Sequence, residues 1–182
     1  MTDEASVGKE SADEVEEPEI EPVRLLVSSP IGRLGIEFRE TAVTSVVIQP
    51  DRKQARTYKS LDKIELTDFL LEALGRLSEH LTGLRGNPEI DIDLEHLNLS
   101  EFSRRVLRHT SRIPWGRTQT YKKLAESTGR PNAYRLVQSV LLQNPIPILI
   151  PCHRVIPSKG GVGGYIAGTK KKEKLLKIEA QA

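Results

Sequence analysis

The sequence has a single cysteine, only 4% aromatic residues and no long apolar run. One cysteine excludes an internal disulfide framework. No segment approaches the roughly 20 apolar residues of a membrane-spanning helix, and the N-terminus lacks the basic start and apolar middle of a signal peptide. The 182 residues, 37% hydrophobic and 29% charged, are typical of one ordinary globular domain or two small ones. We therefore expect a cytoplasmic protein without a membrane segment.

The net charge of +2 hides an acidic N-terminus and a basic remainder. Residues 1–21 contain nine acids and one base, which gives −8, so residues 22–182 carry +10. The acidic segment has few large apolar residues to bury, and we predict that it is disordered. It is a solubilising extension, an acidic mimic that folds back on a basic surface, or an interaction tail. The basic remainder favours nucleic acid as a partner.

The pattern of apolar residues divides the chain near residue 98, into an N-terminal domain (22–97) and a C-terminal domain (98–182). Short β-branched runs at 23–29, 32–38 and 42–49 predict an antiparallel meander. Helical spacing follows over 61–82, up to Gly83, and over 101–112, up to Pro114.

Two short helices are predicted at 118–127 and 132–142, around the turn Thr128–Pro131. In the second helix, Leu136, Val137, Val140 and Leu141 are expected to face inward. The pair is either a helix-turn-helix or simply two packed helices. Nearby bases favour DNA binding, because phosphate neutralisation dominates nucleic-acid affinity. These bases are Lys122, Lys123, Arg130 and Arg135, and Tyr134, Gln138 and Ser139 share the less apolar side of the second helix.

Cys152 lies in the stretch NPIPILIPCHRVI, residues 144–156. A lone cysteine can be a small buried hydrophobe. Here, prolines stiffen the preceding backbone, His153 supplies a base, and Arg154 supplies a positive charge that favours the nucleophilic thiolate. Neighbours in an extended segment point to opposite sides, so we expect His153 to reach Cys152 through a water or a bent backbone.

A carboxylate that orients His153 is expected if the pair is catalytic. Residues 170–179 predict a basic helix, in which Glu179 shares the apolar side of Leu175 and Leu176. Glu179 is therefore either a buried partner of His153 or an exposed terminal residue.

Four stretches from about Phe102 to Glu179 carry a specific resemblance: IPWGRTQTYKKLA, RPNAYRLV, NPIPILIPCHRVIPSKGGVGGY and KEKLLKIE. They resemble the O6-alkylguanine-DNA alkyltransferases. The resemblance implies an α/β (α+β) fold: a small N-terminal RNase H-like domain of β-meander and helix, and a mainly helical C-terminal domain with a winged helix-turn-helix-like unit. It also implies a monomer that binds the minor groove of duplex DNA. The alkyl group moves from O6-alkylguanine to the protein's own cysteine, once per molecule and without a cofactor.

The resemblance also implies residue roles. Cys152 accepts the alkyl group, His153 takes its proton through a water, and Glu179 orients His153. Asn144 holds the turn before the cysteine segment, Arg135 replaces the everted nucleotide, and Tyr121 presses on the phosphate and hydrogen-bonds the purine. The remaining expected residues are Gln138, Ser139, Lys122, Lys123 and Arg130 at DNA, and Val155, Gly163, Tyr165, Ile166 and Trp115 at the guanine pocket.

The chain departs from the family pattern at a few positions. Gln138 and Leu142 are bulkier than the usual residues, which affects how closely the second helix enters the minor groove. Ile166 is also bulkier, which affects the range of alkyl groups that fit the pocket. No cysteine other than Cys152 is present to bind a metal, and no metal site is expected.

Three other classes of protein share part of the pattern. A lesion sensor without transfer shares the helix pair but replaces the reactive cysteine. A helix-turn-helix regulator leaves Cys152, His153 and Glu179 unexplained, and a thiol hydrolase has no need of a basic helix pair.

Overall fold

A computed structural model describes residues 21–181 of the chain. The disorder predicted for residues 1–21 therefore lies outside the described residues, apart from Glu21. The N-terminal half begins with the predicted meander, an antiparallel sheet of β1 (Val23–Ser29), β2 (Gly32–Arg39) and β3 (Ala42–Ile48). The central strand buries Leu34, Ile36 and Phe38. The meander is confirmed to within a residue at each end.

The helix expected over 61–82 is shorter than predicted, and the prediction of its start was wrong. After a short helix α1 (Arg52–Ala55) and a 3₁₀ turn at Leu61–Lys63, helix α2 spans Asp68–Thr82. The Thr67 hydroxyl accepts a hydrogen bond from the Leu70 amide at 3.3 Å, which fixes the first turn there. Gly83, at φ 80°, ends the helix in the left-handed conformation that glycine tolerates best.

Three helices form the main body of the C-terminal half: α3 (Glu101–Ser111), α4 (Tyr121–Ser127) and α5 (Tyr134–Leu142). All three pack against one another, which fits both interpretations of the helix pair. Helix α4 begins later than expected because β4 (Gln119–Thr120) pairs in parallel with β5 (Val155–Ile156). Helix α5 also begins later, at Tyr134 rather than at residue 132.

The inward orientation predicted for Leu136 is wrong. Val137 and Leu141 fill the buried face of α5, whereas Leu136 is 46% exposed. One residue corresponds to about 100° around a helix, so Leu136 can lie outside the buried stripe although its neighbour lies within it.

The two halves are joined near the cysteine segment. The Val46 amide of β3 donates to the Pro145 carbonyl at 2.9 Å. Helix α6 (Thr169–Ala180) reaches the residue that follows β3, where Lys171 Nζ donates to Gln49 Oε1 at 2.6 Å. The division of the domains at residues 97/98 stays a prediction. Between residues 21 and 181, no helix has the length and apolar character needed to cross a membrane.

Candidate active site

Cys152 is buried in a tight turn rather than at the end of an extended segment, which corrects the sequence-based expectation. Residues Cys152–Arg154 form a single 3₁₀ turn, which begins where Pro151 adopts φ −77° and ψ 61°. The Cys152 amide donates to the Ile150 carbonyl at 2.7 Å. The turn bends the backbone between Cys152 and His153, but within residues 21–181 no hydrogen bond joins the two side chains, so the route through a water stays a prediction.

Asn144 ties the end of α5 to the cysteine through both ends of its side-chain amide. Its Nδ2 donates to Cys152 Sγ at 3.1 Å and to the Ile150 carbonyl at 3.0 Å. Its Oδ1 accepts from the Ile146 amide at 3.0 Å. Asn144 is only 1% exposed, so these bonds form without competition from bulk water.

His153 contacts the carboxylate of Glu179, on α6. The distance from Nε2 to Oε1 is 2.7 Å, and both side chains are almost fully buried. An ionised carboxylate only accepts hydrogen bonds, so Nε2 carries the proton and Nδ1 is left with a lone pair. Within residues 21–181, Nδ1 has no hydrogen-bond partner. His153 can therefore act as a base through Nδ1, and of the two readings of Glu179 the buried one applies.

Arg154 was expected to favour the Cys152 thiolate through its positive charge, but its guanidinium forms an ion pair with Glu179 instead. Its Nε lies 3.0 Å from both carboxylate oxygens, and its Nη1 donates to Asn87 Oδ1 at 2.8 Å and to the Ile113 carbonyl at 2.6 Å. The Gly116 amide also donates to Glu179 Oε2, at 3.2 Å. Burial alone would raise the pKa of Glu179, but the hydrogen bonds and charges of His153 and Arg154 lower it to about 2.

Burial raises the pKa of the Cys152 thiol to about 11, although the Asn144 hydrogen bond and the charge of Lys172 act in the opposite direction. The thiol is therefore protonated near neutral pH, and a base is needed to form the thiolate. Burial also lowers the pKa of His153, despite its bond to Glu179, which keeps the ring neutral and able to accept a proton.

Sequence reasoning missed Lys172, which is fully buried on α6. Its Nζ donates to the Val155 carbonyl at 2.5 Å and to the Gly164 carbonyl at 3.3 Å. Burial lowers the pKa of Lys172 to about 8. A signal was present, because Lys172 lies seven residues before Glu179 and therefore on the same face of the helix.

Tyr121 and Tyr165 lie at the glycine loop that follows the cysteine. The Tyr121 hydroxyl lies 3.5 Å from the Gly164 carbonyl, and the Tyr165 ring meets the His153 ring edge to face, with centroids 6.3 Å apart. Gly163 has φ 71°, and a Cβ there would lie 2.9 Å from Pro157. Only glycine fits this position without strain.

The other expected pocket residues differ in their placement. Val155 is buried in β5 and its carbonyl binds Lys172, whereas Ile166 is 42% exposed. The Trp115 ring packs against His80, with centroids 4.7 Å apart, and under the Arg154 guanidinium at 5.6 Å. These contacts place Trp115 beside the Glu179 ion pair, and a role in the guanine pocket stays a prediction.

Most of the residues expected at DNA lie on the outside of the helix pair, whereas Tyr121 is buried at 7% exposure. Arg135 is in the first turn of α5, and Val137 and Leu141 form the buried face of that helix. Exposed residues of this set are Lys122, Lys123, Arg130, Arg135 and Ser139, and Gln138 is half-buried.

The fold and the site together define a helix-turn-helix protein with a buried, hydrogen-bonded thiol beside a His–Glu pair. Residues 101–181 match the family model of the 6-O-methylguanine DNA methyltransferase DNA binding domain. Over 154 residues the chain is 35% identical to the methylated-DNA–protein-cysteine methyltransferase of Methanosarcina barkeri, a match that covers 85% of this chain and 94% of that protein. For the protein of the same name from Mycolicibacterium paratuberculosis, the identity is also 35%, and the coverages are 84% and 89%.

Solved structures agree with these matches. The crystal structure of Mycobacterium tuberculosis O6-methylguanine methyltransferase superposes with a TM-score of 0.75 at 27% identity, over 88% of this chain and 94% of that chain. The crystal structure of Mycobacterium tuberculosis OGT in complex with DNA gives a TM-score of 0.74 at 27% identity, over 87% and 92%. The chain belongs to the family of methylated-DNA–protein-cysteine methyltransferases.

Proposed function

We propose that this protein repairs duplex DNA by moving the alkyl group of O6-alkylguanine to Cys152, once per molecule. The observation that carries the proposal is the arrangement around the thiol. Asn144 donates to Sγ at 3.1 Å, and His153, bonded to Glu179 at 2.7 Å, offers a free Nδ1 one residue further along the turn. Membership of the methyltransferase family supplies the reaction that this arrangement serves.

The reaction forms a bond between Sγ and the alkyl carbon and breaks the bond between that carbon and O6 of guanine. His153 takes the thiol proton through a water, and the thiolate attacks in line with the leaving oxygen. The main-chain N–H of Ile166 donates to that oxygen as charge develops there. A thioether is a poor leaving group, and no second cysteine is present to remove the alkyl group. One turnover is therefore expected.

Glu179 has two tasks in this scheme. Its carboxylate keeps the proton of His153 on Nε2 and stabilises the imidazolium that forms when Nδ1 accepts the thiol proton. It also neutralises the buried Arg154 guanidinium. Asn144 holds Sγ in place, and Lys172 holds the carbonyls of Val155 and Gly164, which border the proposed guanine pocket.

The thiol is only 3% exposed, so a base within a duplex has to leave the stack to reach it. We assign Arg135 to the gap that the nucleotide leaves. Tyr121 presses on the rotated phosphate, while Lys122, Lys123, Arg130, Gln138 and Ser139 contact the DNA around it. Neutralised phosphates supply most of the affinity, which is therefore expected to fall with salt.

We further propose that the protein acts as a monomer in the cytoplasm, bound to DNA. The mechanism requires one chain for each lesion. It also requires a reduced thiol, which the cytosol maintains.

Intact-mass measurement tests the proposal directly. The protein is incubated with a duplex that carries one O6-methylguanine, and the modified peptide is then mapped. We expect each protein to gain one methylene on the peptide that contains Cys152, and the Cys152→Ala variant to gain none while it still binds the duplex. Tight binding of the lesion without any gain in mass would contradict the proposal and indicate a lesion sensor.

A further inference from the structure

An exposed tyrosine lies beside the arginine that we assign to the vacated base stack. Tyr134 is the first residue of α5 and is 44% exposed, whereas Tyr121 and Tyr165 are each 7% exposed. The guanidinium carbon of Arg135 lies 5.7 Å from the centroid of the Tyr134 ring. This distance is within the range of a cation–π contact.

The contact between these two residues is not imposed by the helix. Side chains of adjacent helical residues do not face each other, so the Arg135 side chain has to turn back toward the ring. Among the hydrogen bonds and ion pairs of residues 21–181 none involves the Arg135 guanidinium, so the ring is its identified partner. By contrast, Arg130 packs over Phe102, a core residue, at 4.8 Å.

We infer that Tyr134 is a positioning residue for duplex repair: its ring holds the Arg135 guanidinium at the surface, ready to enter the base stack. This inference rests on the proposed function. A free arginine side chain has many rotamers, and ordering it opposes its insertion into DNA. A ring that restricts the guanidinium beforehand reduces this opposition. Because the contact is with the face of the ring, the tyrosine hydroxyl is not required.

The test compares single-turnover rates on two substrates, a duplex with one O6-methylguanine and free O6-benzylguanine. Only the duplex needs nucleotide flipping, so the free base reports on the thiol site alone. Tyr134→Ala should slow duplex repair roughly twofold to fivefold, a fraction of the cost of ordering an unrestricted arginine side chain, and leave the free-base rate unchanged. Tyr134→Phe should retain the duplex rate.

A double-mutant cycle shows whether Tyr134 acts through Arg135. In an Arg135→Ala background, Tyr134→Ala should cause no further slowing on the duplex. The matched control is Leu136→Ala, because Leu136 is also next to Arg135 and is 46% exposed, similar to Tyr134, but has no ring. This control should keep the duplex rate.

Four results would overturn the inference: no effect of Tyr134→Ala on the duplex, equal slowing on both substrates, slowing that persists without Arg135, or equal slowing by Leu136→Ala. Persistence without Arg135 would mean that the ring contacts DNA independently. Failure of the unaltered protein to transfer any methyl group would contradict the proposed function itself. Transfer by the unaltered protein with an indifferent Tyr134 would contradict only the role of the ring.

Discussion

The thiol site and the first turn of α5 belong to the same half of the molecule but are built in opposite ways. Cys152, His153, Arg154 and Glu179 are at most 4% exposed, and almost every polar atom among them has a fixed partner. Tyr134 and Arg135 are exposed, and the Arg135 guanidinium packs over the Tyr134 ring.

The difference follows from the tasks that we assign to the two regions. A thiol with a pKa near 11 reacts only when its base and its donors are already in place, and burial fixes them. A side chain that enters DNA exchanges water for a base stack, so it has to start from the surface. Changes in the buried region should therefore alter stability and chemistry together, whereas changes at the surface should alter only the response to DNA.

The largest effect is expected from Glu179→Gln, because it removes the charge that compensates Arg154. An uncompensated buried charge costs about 3–5 kcal/mol of stability. His153 also loses the negative charge that stabilises its protonated form, so transfer to Cys152 should slow on both duplex and free-base substrates. Chemical denaturation measures the first effect and single-turnover kinetics the second.

Glu173→Gln is the matched control, since Glu173 is on the same helix but exposed. It should change the free energy of unfolding by less than about 0.5 kcal/mol. If Glu179→Gln behaved like Glu173→Gln, the buried cluster would not couple stability to chemistry, and the contrast between the two regions would fail.

Local patterns predicted much of the fold. The three strands were found because turn residues and β-branched runs lie close together in the sequence, and the inward side of α6 was found from the spacing of Leu175, Leu176 and Glu179. The start of α2 was missed because the apolar spacing continues past the capping residue Thr67, which sets the boundary through a hydrogen bond.

Contacts between distant segments were less accessible. The sequence suggested a pairing of His153 with Glu179, 26 residues apart, only after a helix had placed Glu179 inward. Arg154 was assigned to the thiol, since nothing local reveals that it binds Asn87, 67 residues away in the chain. The helical spacing from Glu179 indicates the inward face for Lys172, but it does not reveal the carbonyls of Val155 and Gly164 that Lys172 binds there.

A smaller effect on stability is expected from the protonation of His80. This residue belongs to the N-terminal half and continues the buried region of the thiol site. His80 is 1% exposed, its Nδ1 contacts the Gly86 carbonyl, and its ring packs on Trp115. Burial lowers the pKa of His80 from 6.5 to about 4, although the Gly86 bond acts in the opposite direction. Between these values the unfolded chain binds the proton and the folded chain does not. The contribution of His80 to the free energy of unfolding is therefore fully present above about pH 6.5. It is lost as the pH is lowered, by about 3 kcal/mol at pH 4 and below.

Denaturation at a series of pH values checks this dependence. His80→Gln should remove this part of the slope between pH 4 and 6.5, whereas the exposed His96→Gln should retain it. Other groups of the buried region contribute with the same sign, since the pKa values of His153 and Glu179 are also lowered. If the free energy of unfolding of His80→Gln kept the same slope against pH, protonation of His80 would not contribute to it, and the slope would come from other groups such as those of the thiol site.

The smallest effect, and the one that separates the two regions most cleanly, is expected from a chain that lacks residues 2–21. This change removes nine acids and one base, so the net charge rises from +2 to +10. Affinity for an undamaged duplex should rise a few-fold at about 0.01 M salt, where charges act over about 30 Å, and the gain should vanish near 1 M salt. The rate with free O6-benzylguanine should not change, because the thiol cluster is buried and internally paired.

Fluorescence anisotropy measures the affinity for the duplex, and single-turnover kinetics measure the rate with the free base. Equal affinities at low salt would identify the acidic segment as a solubilising extension, whereas an altered free-base rate would show that long-range charge reaches the buried site.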